Sequence, residues 1–301
     1  MVEFRKLFAL VGRNIKCYFK DKVIFFVSLI SPVVLLVLFA TFLRNVYIQS
    51  FKDVIGESAV SSRAMEGIVG AWLFSSILAV SSVTVAFCSN IVMVQDKIDG
   101  TITDLKVSPI KRTTISVSYF VANFIITLLI MLCVLAVGCI YLAAVGWYIP
   151  VGDFFMILVD IFCCVLFGTL LASIIMSFIK SQGASSAVSS LISSMYGFIC
   201  GAYMPLSQFA GGLRNFIGCL PGTYGVGILR NHFMNGYITE FVREGVPEER
   251  VKVLKDVFDG NLYVGATQIP LWAMYVILLG TCAILLAAYI AIVLVKNKKK
   301  L

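Results

Sequence analysis

Residues 113–152 read TTISVSYFVANFIITLLIMLCVLAVGCIYLAAVGWYIPVG, forty consecutive positions without Asp, Glu, Lys or Arg. About 20 apolar residues in a helix cross a hydrocarbon layer of ~30 Å. Forty is too long for one comfortable span and too short for two with a turn between them. The reading is one span over roughly 115–142, followed by a stretch on the membrane surface. There Tyr141, Trp147 and Tyr148 fit the aromatic belt of a membrane–water interface.

Runs of the same kind lie on both sides of this one. Residues 23–43 are bounded by Lys22 and Arg44, and residues 67–94 by Glu66 and Asp96. Further on come 154–179, interrupted by Asp160, then 184–204, ended by Pro205, and 268–295, followed by lysines. The whole chain of 301 residues is 60% hydrophobic and 13% charged. Soluble domains carry about 25% charged residues, so this composition excludes a soluble globular fold. The expected class is an all-α integral membrane protein with six transmembrane helices. Residues 215–229 are also uncharged, but they are short and broken by Pro221, Gly222, Gly225 and Gly227. They predict a re-entrant or interfacial segment before the last span. Residues 237–260 form the longest hydrophilic stretch. Pro247, the acids after it, and Val251, Leu254 and Phe258 at helical spacing predict a short amphipathic helix there. The domain expectation is one transmembrane domain over 1–301, with 205–267 as its re-entrant and external part.

Charge sets the orientation. With the N-terminus inside, Lys and Arg on the inner side number six in 1–22, four in 95–112, one at 180 and four in 296–301. That is fifteen of the chain's 24 Lys and Arg. The positive-inside rule then predicts both ends in the cytosol, and six spans return the chain to its starting side. The first apolar run begins only at Val23 and has no small-residue cleavage site before Arg44, so it is expected to stay as an anchor. The tail Lys298-Lys299-Lys300-Leu301 also fits a dilysine retrieval pattern, although a basic flank to the last span accounts for it more simply.

Most chemistry is excluded by counting. Seven of the nine cysteines (Cys88, Cys133, Cys139, Cys163, Cys164, Cys200 and Cys282) sit inside apolar runs, where thiols act as small hydrophobes. One histidine excludes a two-His metal helix. No Gly-x4-Gly-Lys-Ser/Thr loop is present, so the chain has no phosphate-binding loop of that kind. Neither catalytic residues nor cofactor or metal ligands are expected, nor a nucleic-acid partner.

Two cytosolic segments remain. In residues 1–22, Phe4, Leu7, Phe8, Val11, Ile15, Tyr18 and Phe19 follow helical spacing, with Arg5, Lys6, Arg13, Lys16 and Lys20 mostly elsewhere around the wheel. This predicts an amphipathic helix lying in the interface. Residues 95–112, QDKIDGTITDLKVSPIKR, form the only inner loop of any length. Ile91, Ile98, Ile102 and Leu105 make one helical stripe that leaves the second span and is stopped by Pro109.

The run Asp96, Gly100, Thr101, Asp104, Leu105, Ser108, Pro109, Arg112 resembles the coupling segment of type-2 ABC transporter permeases, a family of ABC exporter transmembrane subunits. The order of segments resembles that family along essentially the whole chain, down to the Leu220-Pro221-Gly222-Thr223 before the last span. Departures are Val117-Ser118, where many members place Gly-Lys, and Lys97 and Asp99.

The resemblance implies a type-2 ABC exporter fold in the cell membrane, bacterial and cytoplasmic by expectation. It implies a multi-pass permease that moves an amphiphilic cargo of drug, lipid, peptide or glycan class. It also implies ATP-binding cassette ATPase subunits as partners, which hold ATP and Mg, and a second permease chain, identical or homologous. Asp96, Ile98, Gly100, Thr101, Ile102, Asp104, Leu105, Ser108, Pro109 and Arg112 would then make the ATPase contact.

Small residues recur at Ser75, Ala79 and Ser82 in one span and at Ser186, Ser190, Ser193 and Gly197 in another. Such stripes let helices approach closely in lipid. Packing within the chain and packing between protomers both account for them, and in the family these spans lie near the dimer seam or cargo path. Asp160 is the one acid placed inside a span, about 9–10 Å deep at 1.5 Å per residue. An acid there is a candidate for function. Two other classes compete. A secondary transporter or channel needs more intramembrane charge than this chain has. An intramembrane enzyme needs a second acidic or His cluster facing Asp96, Asp99 and Asp104.

Overall fold

A computed structural model describes residues 2–55, 60–265 and 267–298. Lys299, Lys300 and Leu301 of the predicted tail motif lie outside the described residues. The architecture is all-helical apart from one hairpin. It begins with α1 (Val2–Lys20), which meets α2 (Lys22–Leu38) at a bend of 76°. Asp21 causes the break: its carboxylate caps the new helix by accepting from the backbone N–H groups of Val23 and Ile24. Tyr18 hydrogen-bonds Ser28 across the bend and fixes it.

The helix of the first apolar run continues past the Arg44 that bounds the run. A π-helical stretch, Phe39–Leu43, carries the helix on into α3 (Arg44–Ile55). Arg44 is tolerated because it pairs with Glu66 at 2.6 Å. Next come α4 (Ser62–Ser89), α5 (Ile91–Ile98), α6 (Thr101–Val107), α7 (Arg112–Val145) and α8 (Val151–Phe178). The forty-residue uncharged run is thus one helix and a short surface link. Trp147 is partly exposed in that link.

Beyond it lie α9 (Gln182–Ile199), α10 (Gly211–Gly218), α11 (Pro221–Arg243), α12 (Glu248–Val257), the antiparallel pair β1 (Leu262–Val264) and β2 (Thr267–Ile269), and α13 (Leu271–Lys298). Among the described residues four stretches are long and apolar enough to cross a membrane: Ser62–Ile98, Arg112–Val145, Val151–Phe178 and Leu271–Val295. The bent α1–α2 pair makes a fifth if it is counted as one span. The protein is therefore a multi-pass membrane helical bundle. The serine-rich α9 is 18 residues long but is not among these candidates.

Central to the bundle is α4, whose most apolar window is 94% buried, against 17% for α13. It packs on α2, α7, α8, α9 and α11. Two of its buried hydroxyls bond their own helix: Ser75 Oγ donates to the Trp72 carbonyl and Ser82 Oγ to the Ala79 carbonyl, at 2.6 and 2.7 Å, while those of Ser81 and Thr84 have no hydrogen-bond partner. Residues 215–229 are less broken than their glycines suggested. Pro221 stands at the first turn of α11, where a missing N–H costs nothing, and the helix then runs unbroken to Arg243. The predicted amphipathic helix is α12, with Val251 and Leu254 buried.

Candidate functional site

The predicted loop 95–112 forms two helices rather than one continuous rod. Gly100 breaks it at φ = +81°, a left-handed conformation that costs other residues ~1–2 kcal/mol. After the turn, α6 runs until Ser108, whose hydroxyl donates to the Leu105 carbonyl at 2.6 Å. Pro109 then prevents continuation. The single stripe of Ile91, Ile98, Ile102 and Leu105 is split by this break. Ile102 and Leu105 turn toward the bundle and pack against a cluster that includes Met93, Ile115 and Tyr119. Ile98 is exposed and Val107, which had not stood out, is 85% exposed. Asp104 and Pro109 are exposed, while Thr101, Ser108 and Arg112 are half-buried.

Asp96 is placed differently from Asp104. It is 8% exposed and faces inward. Arg13 on α1 grips it with both guanidinium nitrogens, Nη2 lying 2.9 Å from Oδ1. The Tyr119 hydroxyl donates to the same carboxylate. These hydrogen bonds raise the Arg13 pKa above its ordinary value despite its partial burial. Two further ties follow on the far side of α6: Lys6 Nζ donates to the Pro109 carbonyl at 2.6 Å, and Thr114 Oγ1, on α7, to Glu3 at 3.2 Å. The first helix is therefore fastened before and after α6. From the other side, Lys97 Nζ donates to the carbonyls of Met176, Ser177 and Ile179 at the end of α8, offsetting the negative end of that helix.

The small-residue stripes divide. Ser75, Ala79 and Ser82 are buried inside the chain. Gly197 makes room for the Tyr203 ring, which a Cβ would meet at 2.2 Å. Ser186, Ser190 and Ser193 instead line an open cavity of about 810 Å³ between α2 and α9. Its walls are mostly apolar, with Val27, Ile30, Val34 and Phe198 among them. Ser189 on the same wall is buried without a hydrogen-bond partner.

Asp160 is the tenth residue of α8 and is fully buried in the protein. It accepts from the Tyr275 hydroxyl on α13 and pairs with His232 Nδ1 on α11 at 2.7 Å. That the chain's one histidine meets Asp160 is a pairing that sequence reasoning missed. The signal was available, since a buried acid in a span requires a partner. Near the α12 end, Arg230 reaches Asp259 at 2.9 Å, the Gly201 carbonyl at 2.8 Å and Ser76 at 3.1 Å, with its guanidinium over the Trp72 ring. Among the described residues no group of three or more His, Cys, Asp or Glu is placed to hold a metal ion.

A family model described as ABC-2 type transporter matches residues 5–234. This stretch runs from the interfacial helix through α6 and well into α11. No curated protein and no solved structure matches the chain.

Proposed function

The chain belongs to the ABC-2 type transporter family, and from that premise we propose that it is the permease half of an ATP-driven exporter of amphiphilic molecules. Separate cassette ATPase subunits bind ATP and Mg, and α6 receives their motion. The observation that carries this reading is the anchoring of α6. A transmitted force needs a rigid element. Ile102 and Leu105 hold α6 to the bundle, and the Arg13–Asp96 pair and the Lys6–Pro109 bond tie the chain on either side of it to α1. Its outer face presents Asp104 and Val107 to a partner, beside Ile98 at the end of α5.

In this reading the chain crosses six times, through α2 with α3, α4 with α5, α7, α8, α9 and α13. Both ends lie inside, and α10 with the start of α11 forms the re-entrant pair. A second permease chain meets the α2–α9 face, and the serine-lined apolar cavity there suits a cargo with a long apolar part and a few polar groups. Losing an apolar anchor from a tight interface costs on the order of 2 kcal/mol. Val107→Asp and Asp104→Lys are therefore expected to release the ATPase on purification from mild detergent and to stop ATP-linked export. The amount of permease in the membrane should stay unchanged. Normal export together with full ATPase retention in both variants would overturn the assignment.

One observation favours a second reading. The buried Asp160–His232 pair is the kind of couple that ion-driven transporters use. Transport that survives a hydrolysis-dead ATPase but stops when the proton gradient is collapsed would select it.

A further inference from the structure

A second pocket, of about 470 Å³, lies behind α6, between the start of α7 and the ends of α8 and α13. Four cations line it, Lys97, Lys106, Arg112 and Lys180, and no carboxylate does. Asp96, the nearest acid in sequence, is turned away and held by Arg13. Lys97 serves the carbonyls that end α8, so the rim is not left negative there. Arg112 and Lys180 make no ion pair among the described residues. Arg112 is also the first residue of the 34-residue α7, where unpaired N–H groups and the helix dipole favour an anion. A guanidinium at such a place matches a phosphate in both shape and charge.

Deeper in, the walls are apolar, with Ile179 and Ile292 among them. A soluble anion has no use for those walls, whereas an acyl chain does. Basic pockets between membrane helices on the cytosolic side suit anionic lipid headgroups. We propose that this pocket holds the phosphate of an anionic phospholipid, its chains running along α13. The phosphate then bridges Arg112 on α7 to Lys180 after α8, directly behind α6. This assignment stands on the membrane location of the chain and is independent of whether an ATPase docks on α6.

The test uses the full chain in a neutral detergent. Its melting temperature is followed as short-chain phosphatidylglycerol, phosphatidylcholine or inorganic phosphate is added. Phosphatidylglycerol should raise the melting temperature more than phosphatidylcholine does. Arg112→Gln with Lys180→Gln should remove at least half of that excess. Lys252→Gln with Lys255→Gln, on α12 at the other end of the bundle, should keep it. Equal shifts from the two lipids, or an undiminished excess in the Arg112/Lys180 variant, overturns the proposal. An equal shift from inorganic phosphate alone also overturns it, because the site is then one for soluble anions. If the double variant does not fold, a photoactivatable phosphatidylglycerol on the unaltered chain decides. Labelling of the segments around Arg112, Lys180 and Ile292 supports the site, and labelling only elsewhere refutes it.

Discussion

A carboxylate removed from water persists only beside cations or donors, and Asp96 shows how few are enough. Arg13 and Tyr119 satisfy both of its oxygens. Arg13 is about a third exposed, so solvent screens the pair and discounts its worth below that of a fully buried one. A double-mutant cycle with Arg13→Gln and Asp96→Asn, read by thermal unfolding in detergent, should give a coupling of about 1–2 kcal/mol. Additive effects would mean that α1 is held by its apolar face alone. Arg230 and Asp259 form the harder case, with side chains 1% and 4% exposed. Arg230→Met leaves Asp259 buried without its cation, with only the Leu206 N–H on its carboxylate, at about 3–5 kcal/mol, enough to cut the folded yield severely. Replacing both partners with Met and Leu should recover much of that loss, which fluorescence size-exclusion profiles would report. None of these pairs was legible in advance. Arg13 and Asp96 stand 83 positions apart and Asp160 and His232 stand 72 apart, and no local spacing links residues that only the packed bundle brings together. What the sequence does state is the need for a partner.

Elements were read more easily, because hydropathy over twenty residues is a strong signal and lipid allows few alternatives to a helix. The long apolar runs became α4, α7, α8 and α13, and the amphipathic first segment became α1. A single charge or glycine says less about where a helix ends. The helix of the first apolar run continues past Arg44, which Glu66 neutralises. The glycines of α11 interrupt nothing, because packing outweighs a propensity cost of about 1 kcal/mol each. Gly100 was quoted only as part of a family pattern, and the structure gives it a physical task. Space is open where its Cβ would stand, so a substitution there acts through the backbone alone. Gly100→Ala should therefore strain the turn between α5 and α6 by about 1 kcal/mol or more. The bundle would stay intact, since α6 lies at its edge. Export and transport-linked ATP hydrolysis should fall several-fold while the melting temperature shifts little. Gly100→Asn, which tolerates left-handed backbone better, should sit between parent and Ala. Equal export by all three would mean that the angle of α6 does not matter.

At the scale of the molecule the open question is which face meets the second permease. Lipid tails are as apolar as leucine, so exposed hydrophobic residues alone mark no interface, and α13 exposes Ile284 and Val276 beside Gly280, Ala283 and Ala287, small residues that carry no hydroxyl. The α9 face differs. Leu191, Met195 and Phe198 are exposed there beside the exposed hydroxyl residues Ser186, Ser190 and Ser194, and α2 next to it exposes Ile30 and Val34. Small polar residues let backbones approach, and their hydroxyls find partners across the gap more readily than in hydrocarbon. A two-fold pair brings the same patch of both chains together, so a residue near the axis meets its own copy. Cys133 and Cys219, the exposed native thiols, would first be replaced by serine. In that background Leu191→Cys or Ser194→Cys should form a covalent dimer with a short thiol cross-linker in native membranes, and Ile284→Cys on α13 should not. Leu191→Arg should lower the cross-linked fraction at Ser194→Cys, because it puts a charge into a closely packed apolar seam. If the native pair is made of two different permeases, the α9 thiols should react only when the partner carries its own thiol on the matching helix. Cross-linking through α13 with silence at α9 would place the seam on the opposite side of the bundle. The cavity between α2 and α9 would then open to lipid rather than to a second chain.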